Sequence, residues 1–287
     1  MNNPSMQFVI RALSLSFAAS LFVATISHAQ MGGSRTQASP TGPSTDMQQT
    51  ELHELTDVQR QPGVTLDSKE QKAYDAFFHT EDSDKKIQLG NAFLEKYPKS
   101  IFIEAVDSGL TYAYYDKQDW KDYYASADRA LALKPDDVDL LASLGWVIPH
   151  FYNPQDANAD EQLNKAETCE KHALEVMATM PKPSGLTDAR FATAKAQKAA
   201  QAHSALGLVY FRREDYANSA KELQQVTLNN PNADQTDLFV MGMDFQNMDK
   251  FGDAADAFGR CGQIAGNLQD RCKQNADMAK KKAAQPK

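Results

Sequence analysis

The chain has 287 residues, which suffices for one large domain or two of ordinary size. It carries 30 Lys and Arg against 38 Asp and Glu, a formal net charge of −8. This balance disfavours nucleic acid and anionic lipid as partners, because both require a concentrated positive surface. Hydrophobic residues make up 42% of the chain, enough for a buried core, and three cysteines exclude a disulfide-rich scaffold.

Residues 1–29 have the pattern of a secretory signal peptide. One basic residue, Arg11, precedes an apolar, Ser- and Ala-rich run over 12–26, and Ser27-His28-Ala29 forms a small-x-small cleavage site. The run is short for a membrane span, which needs about 20 apolar residues; an uncleaved anchor is the alternative. We therefore expect an exported chain, cleaved after Ala29, with the bacterial periplasm as its location and no stable membrane insertion afterwards.

Residues 30–66 are predicted to be a flexible linker. They are rich in Gly, Ser, Thr, Pro and Gln, and large apolar residues are few and irregularly spaced. Such a segment cannot bury enough apolar surface to offset the entropy lost on ordering. A binding tail that folds on a partner is the alternative.

From residue 67 to 282 the pattern is helical, and a three-residue set recurs at a spacing of 34 or 35 residues, except for a gap of 62 between the second and third sets that breaks the period. The four sets are Leu110/Thr111/Tyr114, Leu144/Gly145/Ile148, Leu206/Gly207/Tyr210 and Met241/Gly242/Phe245. The first and third members lie one turn apart on a helix, and the small middle residue allows a second helix to approach closely. An aromatic residue opens the second helix in three units: Trp120, Tyr216 and Phe251.

This pattern resembles the tetratricopeptide repeat (TPR), and it matches best over 200–233, which ends near Pro231. The resemblance implies an all-α fold: a right-handed TPR-like α-solenoid of antiparallel helix pairs with a C-terminal capping helix. The predicted repeats are 68–100, 104–137, 138–180, 200–233 and 235–266, and the predicted cap is 267–282. The third repeat departs from the family pattern, because its first helix runs into Pro149 and Pro154 and its second is delayed to about residue 159.

In proteins that resemble this one, the first helix of each pair lines a concave groove. Carried onto this sequence, the groove positions include Ser108, Ala142 and Ser204, with Arg212 and Asn247 alongside. The large groove residues are Tyr112, Tyr115, Trp146, Leu208, Phe211, Phe239 and Met243. Apolar and aromatic surface of this kind is typical of a protein or peptide contact. The alternative is that these side chains pack against neighbouring repeats or against residues 30–66.

The function predicted from these features is a non-catalytic protein-interaction scaffold of the periplasm or envelope, without a cofactor. A structural, oligomeric component joined through the solenoid ends is one alternative. An enzyme with a site in the 149–200 insertion, near His150 and Asp156, is another. Cys169 and His172 lie one turn apart, but a metal site needs more ligands than this pair, so none is expected.

A disulfide is predicted between Cys261 and Cys272. Cys261 ends the last repeat helix, Cys272 lies in the capping helix, and the turn between Gly262 and Gly266 could bring the two within bridging distance. Export would place them in an oxidising compartment. Cys169 is then single, and we expect it to be buried as a small apolar residue.

Overall fold

A computed structural model describes residues 67–183, 185–228 and 233–285. The predicted signal peptide, the predicted linker and Pro231 lie outside these residues. Within them the chain forms eleven α-helices and no strand. The helices are α1 (Ser68–Phe78), α2 (Ser83–Lys96), α3 (Ile103–Lys117), α4 (Trp120–Leu133), α5 (Val138–His150), α6 (Ala159–Thr179), α7 (Asp188–Arg212), α8 (Tyr216–Thr227), α9 (Gln235–Asn247), α10 (Phe251–Cys261) and α11 (Gln269–Ala283).

Side-chain caps define most of the helix starts. The carboxylate of Asp137 accepts hydrogen bonds from the backbone N–H groups of Asp139 and Leu140, each at 3.0 Å. Such a cap satisfies N–H groups that have no partner inside the helix. The same role is played by Asp67, Asp82, Asp119, Thr187, Asp215 and Asp234.

Consecutive helices pack as antiparallel pairs, α1/α2, α3/α4, α5/α6, α7/α8 and α9/α10, and α11 packs against α10. The pairs also contact each other in chain order. Tyr210 Oη at the end of α7 donates to Glu167 Oε1 on α6 at 2.9 Å, and Asn91 Nδ2 on α2 donates to Tyr114 Oη on α3 at 3.0 Å. The prediction of an all-helical solenoid of helix pairs is confirmed, because each pair buries its apolar side against its neighbours.

Three of the pairs share one turn geometry. Gln118, Glu214 and Asp249 have φ angles of 56°, 62° and 58°. In each case the next residue donates its N–H back to a carbonyl at the end of the first helix, as from Asp215 to Tyr210 at 3.0 Å. This left-handed ending satisfies the last helical carbonyls and reverses the chain within a few residues.

Glycines bring the two helices of a pair together. A Cβ added to Gly207 would lie 2.6 Å from Leu223, and one added to Gly242 would lie 2.6 Å from Phe258. Both distances are too short for two carbon atoms. These positions therefore need glycine because the second helix approaches so closely, whatever their backbone conformation.

The third and fourth pairs deviate from regular repeats. Pro149 falls in the last turn of α5, and residues 151–158 form a long connection to α6, which has 21 residues. Helix α7 begins at Asp188, well before the predicted repeat start at 200, and has 25 residues. Residues 181–199 lie between two predicted repeats, and the structure shows that they are helical from Asp188 onwards. The first turns of α7 are almost entirely exposed.

The buried core of the described residues is divided into three clusters that follow one another along the stack. One cluster extends from Tyr74 in α1 to Ala202 in α7, and another extends from Ala220 in α8 to Ala279 in α11. A smaller cluster around Leu163 and Val209 lies between them. No helix in the described part of the chain is both long and apolar enough to span a membrane.

The structure pairs Cys261 with Cys272, whose Cα atoms are 5.7 Å apart, and both residues are fully buried. The bridge joins α10 to the capping helix α11. Cys169 is a buried free thiol.

Candidate functional site

The first helix of a pair makes different contacts from neighbouring positions. On α3, Thr111 faces the second helix, where its hydroxyl donates to Ser126 Oγ at 3.0 Å. Tyr115, one turn later on the same face, contacts Trp120 and Tyr123 of α4, whereas Tyr112 is turned away from Thr111; both tyrosines are half-buried. Trp146 on α5 and Leu208 on α7 occupy the repeat position of Tyr112, and Phe211 on α7 occupies that of Tyr115; all three are half-buried. We call these five residues the first-helix surface: Tyr112, Tyr115, Trp146, Leu208 and Phe211.

The surface lies across two core clusters. Tyr115 and Trp146 pack on the cluster that begins at α1, whereas Leu208 and Phe211 pack on the cluster that ends at α11. Helices α5 and α7, which carry Trp146 and Leu208, contact each other directly. The elements that carry the surface are therefore fixed by the core beneath them.

Trp146 is stacked on His150 at the end of α5. The ring centroids are 4.0 Å apart and the ring planes differ by 23°. His150 Nδ1 lies 2.6 Å from the carbonyl oxygen of Trp146, and because a carbonyl only accepts, Nδ1 carries the proton. Burial lowers the pKa of His150 to about 4, so the ring is neutral at pH 7.

Arg212 lies beside this stack, at the end of α7. Its Nε donates to the carbonyl oxygen of Pro149 at 3.1 Å, and its guanidinium carbon is 5.9 Å from the ring centroid of Tyr152. Burial lowers the pKa of Arg212. Among the residues that the structure describes, no carboxylate forms an ion pair with Arg212.

The neighbouring Arg213 is different. Its guanidinium pairs with Glu167 and donates to Asn164, both on α6. These bonds tie the fourth pair to the third. Arg213 thus has an ion-pair partner, which Arg212 lacks among the described residues.

Aromatic residues continue the surface at the C-terminal ends of α3 and α5. Tyr115 contacts Trp120 edge-on at 5.9 Å, and Trp120 contacts Phe151 at 4.3 Å. Phe151 is 41% exposed, which is high for a phenylalanine within a cluster. An aromatic rim therefore borders the side of the surface nearest α4.

Polar contacts border the surface along α5, α7 and α9. Lys198 on α7 forms an ion pair with Asp139 on α5. Ser204 Oγ on α7 donates to Asp237 on α9 at 2.6 Å. Burial raises the pKa of Asp237 to about 7. These contacts hold three successive first helices side by side.

Phe239 and Met243 on α9 do not belong to the surface, although the sequence predicted them there. Their exposures are 3% and 6%, and both belong to the C-terminal core cluster. The guanidinium of Arg271, on the capping helix, lies 5.1 Å from the ring centroid of Phe239. The capping helix thus helps to cover Phe239, which also contacts Phe258 on α10.

The other predicted groove positions fall into two groups. Ser108 and Ala142 are buried, and Ser204 is bonded to Asp237. Arg212 and Asn247 are partly exposed. The sequence placed Arg212 beside the groove but gave no sign of its contact with Pro149 and Tyr152, which depends on the irregular end of α5.

The alternative sites weighed from the sequence do not assemble in the described residues. His150 contacts Trp146, whereas Asp156 accepts a hydrogen bond from Asn153 within the exposed loop at 2.8 Å. Cys169 is buried, while His172 lies 2.8 Å from Asp136. The described part of the chain contains no group of three His, Cys, Asp or Glu side chains placed to hold a metal ion.

Comparisons with known proteins find structural likenesses but no match in sequence. No protein-family model matches the chain, and no curated protein matches it. A solved structure described as a thermophilic TPR protein of Thermus thermophilus is similar at a TM-score of 0.42 and 14% identity, covering 73% of this chain and 98% of that one. The helix packing described above, and not this likeness, establishes the fold.

Proposed function

We propose that the chain is a non-catalytic interaction module of an exported compartment and that its first-helix surface binds a protein or peptide. The observation that carries the proposal is the half-buried state of Trp146, Leu208 and Phe211 on two helices that contact each other. Met243, the counterpart of Trp146 and Leu208 on α9, and Phe239, one turn before it, are covered by the chain itself. Large side chains left partly open along consecutive first helices provide a surface for a partner.

The composition of the surface supports a polypeptide as that partner. Trp, Tyr and Arg are the residue types that contribute most to binding free energy at protein interfaces. They are found here on α3, α5 and α7. Stacked helix pairs characteristically bind partners along such extended surfaces.

Export is part of the proposal and is supported by the residues around Arg11 and Ala29. Its test is the intact mass of the chain recovered from fractionated cells. A periplasmic chain that begins at Gln30 is expected. A full-length chain confined to the cytoplasm would contradict export and leave the binding proposal standing.

The binding proposal is tested with a phage-displayed library of random dodecapeptides, selected against the full chain. We expect the selected peptides to lose affinity by about tenfold or more for Leu208→Ala, because truncating one of the few central side chains that dominate an interface costs about 2 kcal/mol or more. Leu133→Ala is the matched control, since Leu133 is 58% exposed on α4, away from the surface. Failure to select any peptide, or an equal loss in both variants, would overturn the proposal.

A further inference from the structure

We propose that Arg212, together with Trp146 and Tyr152, forms a subsite that binds one acidic side chain of the peptide held on the first-helix surface. This inference rests on the proposed function and adds the chemistry of the ligand. It assigns a role to a half-buried cation for which the described residues provide no counter-charge.

The position of the guanidinium is fixed by contacts within the chain. Its Nε donates to the carbonyl oxygen of Pro149 at 3.1 Å, near the C-terminus of α5, where that carbonyl lies in the last helical turn. The ring of Tyr152 lies 5.9 Å away on one side. An arginine held at Nε still has the N–H groups of its two terminal nitrogens, whose planar arrangement matches a carboxylate.

Those terminal N–H groups have no carboxylate partner in the part of the chain that the structure describes. A partly desolvated cation is costly unless an anion or hydrogen-bond acceptors compensate it. Arg213, one residue later, shows the compensated case, with Glu167 and Asn164 as acceptors. Arg212 has only the Pro149 carbonyl as a hydrogen-bond acceptor and the Tyr152 ring beside it among the described residues.

The neighbouring groups do not compete for the ligand's charge. His150 is neutral, because its Nδ1–H is directed at the Trp146 carbonyl and burial disfavours a second proton. Lys198 is paired with Asp139, and Asp237 accepts from Ser204. Asp160 and Arg213 also act on Tyr152, but Arg213 is paired with Glu167. Among the described residues around Tyr152, Arg212 is thus the cation without an ion-pair partner.

The ligand is inferred to be a single internal Asp or Glu flanked by apolar residues. The chain has a net charge of −8, so a long acidic tract would be repelled by the rest of the molecule. A terminal carboxylate is usually held by several converging donors, and the surface offers one such cation. Apolar neighbours of the acid would reach Trp146 on one side and Leu208 on the other.

The test uses the dodecapeptides selected on the full chain, resynthesised with a fluorescent label, and fluorescence anisotropy as the measure of Kd. We expect an acidic residue in the selected peptides. Replacing it with its amide should weaken binding to the wild type by about tenfold or more, because hydrogen bonds between charged groups are the strong ones. The same replacement should change binding to Arg212→Gln by less than about twofold, since the interaction is already lost.

Arg213→Gln is the matched control and should respond to the peptide change as the wild type does. The thermal midpoint of every variant is measured first. If Arg212→Gln is unfolded, Arg212→Lys replaces it in the cycle: it keeps the charge, loses the paired N–H groups and should give a reduced coupling.

The outcomes separate the two proposals. Peptides that bind through Leu208 but lack an acid, or whose acid matters equally with and without Arg212, would overturn the subsite and leave the proposed function intact. If Arg212→Gln weakened the binding of the acidic peptide and of its amide form by the same factor, Arg212 would act only by holding the end of α5 in place. That result would also overturn the subsite. Peptides indifferent to Leu208→Ala would overturn the proposed function itself.

Discussion

The carboxyl group of Glu170 packs directly against the backbone of Gly145, in the place that Leu223 and Phe258 occupy in the two following helix pairs. A Cβ added to Gly145 would lie 2.2 Å from Glu170 Oε1. Glu170 is fully buried, and neither of its carboxyl oxygens has a hydrogen-bond partner among the described residues. Burial therefore raises the pKa of Glu170 well above its usual range, which favours the protonated acid.

Glu170→Leu should stabilise the protein. The variant replaces an unpartnered buried polar group with the residue type found at the equivalent position of α8, so we expect a gain of about 1–3 kcal/mol in the free energy of unfolding at pH 7. Urea unfolding followed by circular dichroism measures it. The control is Glu175→Leu, since Glu175 is exposed on the same helix and its replacement should have little effect. A loss of stability in Glu170→Leu would show that the carboxyl has a partner.

Glu170→Gln should remove part of the pH dependence of stability. A carboxyl with a raised pKa in the folded state favours folding by binding a proton, and this contribution is lost as pH rises from the unfolded pKa through the folded one. The wild type should therefore lose stability relative to Glu170→Gln as pH rises from about 4.5, near the unfolded pKa. Asp244, whose pKa burial raises to about 8, and Asp237 contribute in the same direction, so only the difference between the two proteins is diagnostic. Parallel stability curves from pH 4 upwards would contradict the assignment.

Two glycines should respond in opposite ways to alanine. At Gly242 the new Cβ would lie 2.6 Å from the Phe258 ring, so Gly242→Ala should cost about 1–3 kcal/mol through displaced packing. At Gly259 nothing lies within 4 Å of the new Cβ, and Gly259→Ala should gain about 0.5–1 kcal/mol from helix propensity. Denaturant midpoints of the two variants give the comparison. Equal effects would mean that the helices of the last pair are not in close contact.

The link between Cys261 and Cys272 should stabilise the capping helix. Peptide mass spectrometry of the unreduced chain should recover a cross-linked peptide containing both residues, while Cys169 is alkylated after unfolding. Replacing both cysteines with alanine should lower the free energy of unfolding by about 3 kcal/mol, because the bridge closes a short loop and so reduces the entropy of the unfolded chain. Full alkylation of all three cysteines without reduction would exclude the bridge.

The repeat spacing predicted the helix pairs well because each recurring residue has a packing cause. The second helices begin at Trp120, Tyr216 and Phe251, where an aromatic residue folds back onto the pair. The left-handed turns at Gln118, Glu214 and Asp249 occupy equivalent positions in three pairs, but three different residue types fill them, and none is the glycine that would have marked the conformation. The early start of α7 also escaped prediction, since no repeat position marks residues 188–199.

The predicted surface was only partly accurate for a physical reason. A first-helix residue is open or buried according to what packs over it, and the sequence does not specify the position of the capping helix. Met243 is buried, while Leu208, at the same repeat position, remains half-buried; Phe239, one turn before Met243, lies beneath Arg271. Arg212 owes its position to the ending of α5 at Pro149 and His150, where the repeat pattern breaks down.

The most direct measurement of the central claim is site-specific photocrosslinking in cells that produce the full chain. Benzoylphenylalanine is placed at Leu208 or Tyr112 on the first-helix surface, and at Lys221 or Asp256 on exposed parts of the second helices α8 and α10. The account predicts adducts of defined mass from the first two positions, reduced by Trp146→Ala, and none of that mass from the other two. Adducts confined to Lys221 and Asp256, or equal at all four positions, would contradict a binding role for the first-helix surface.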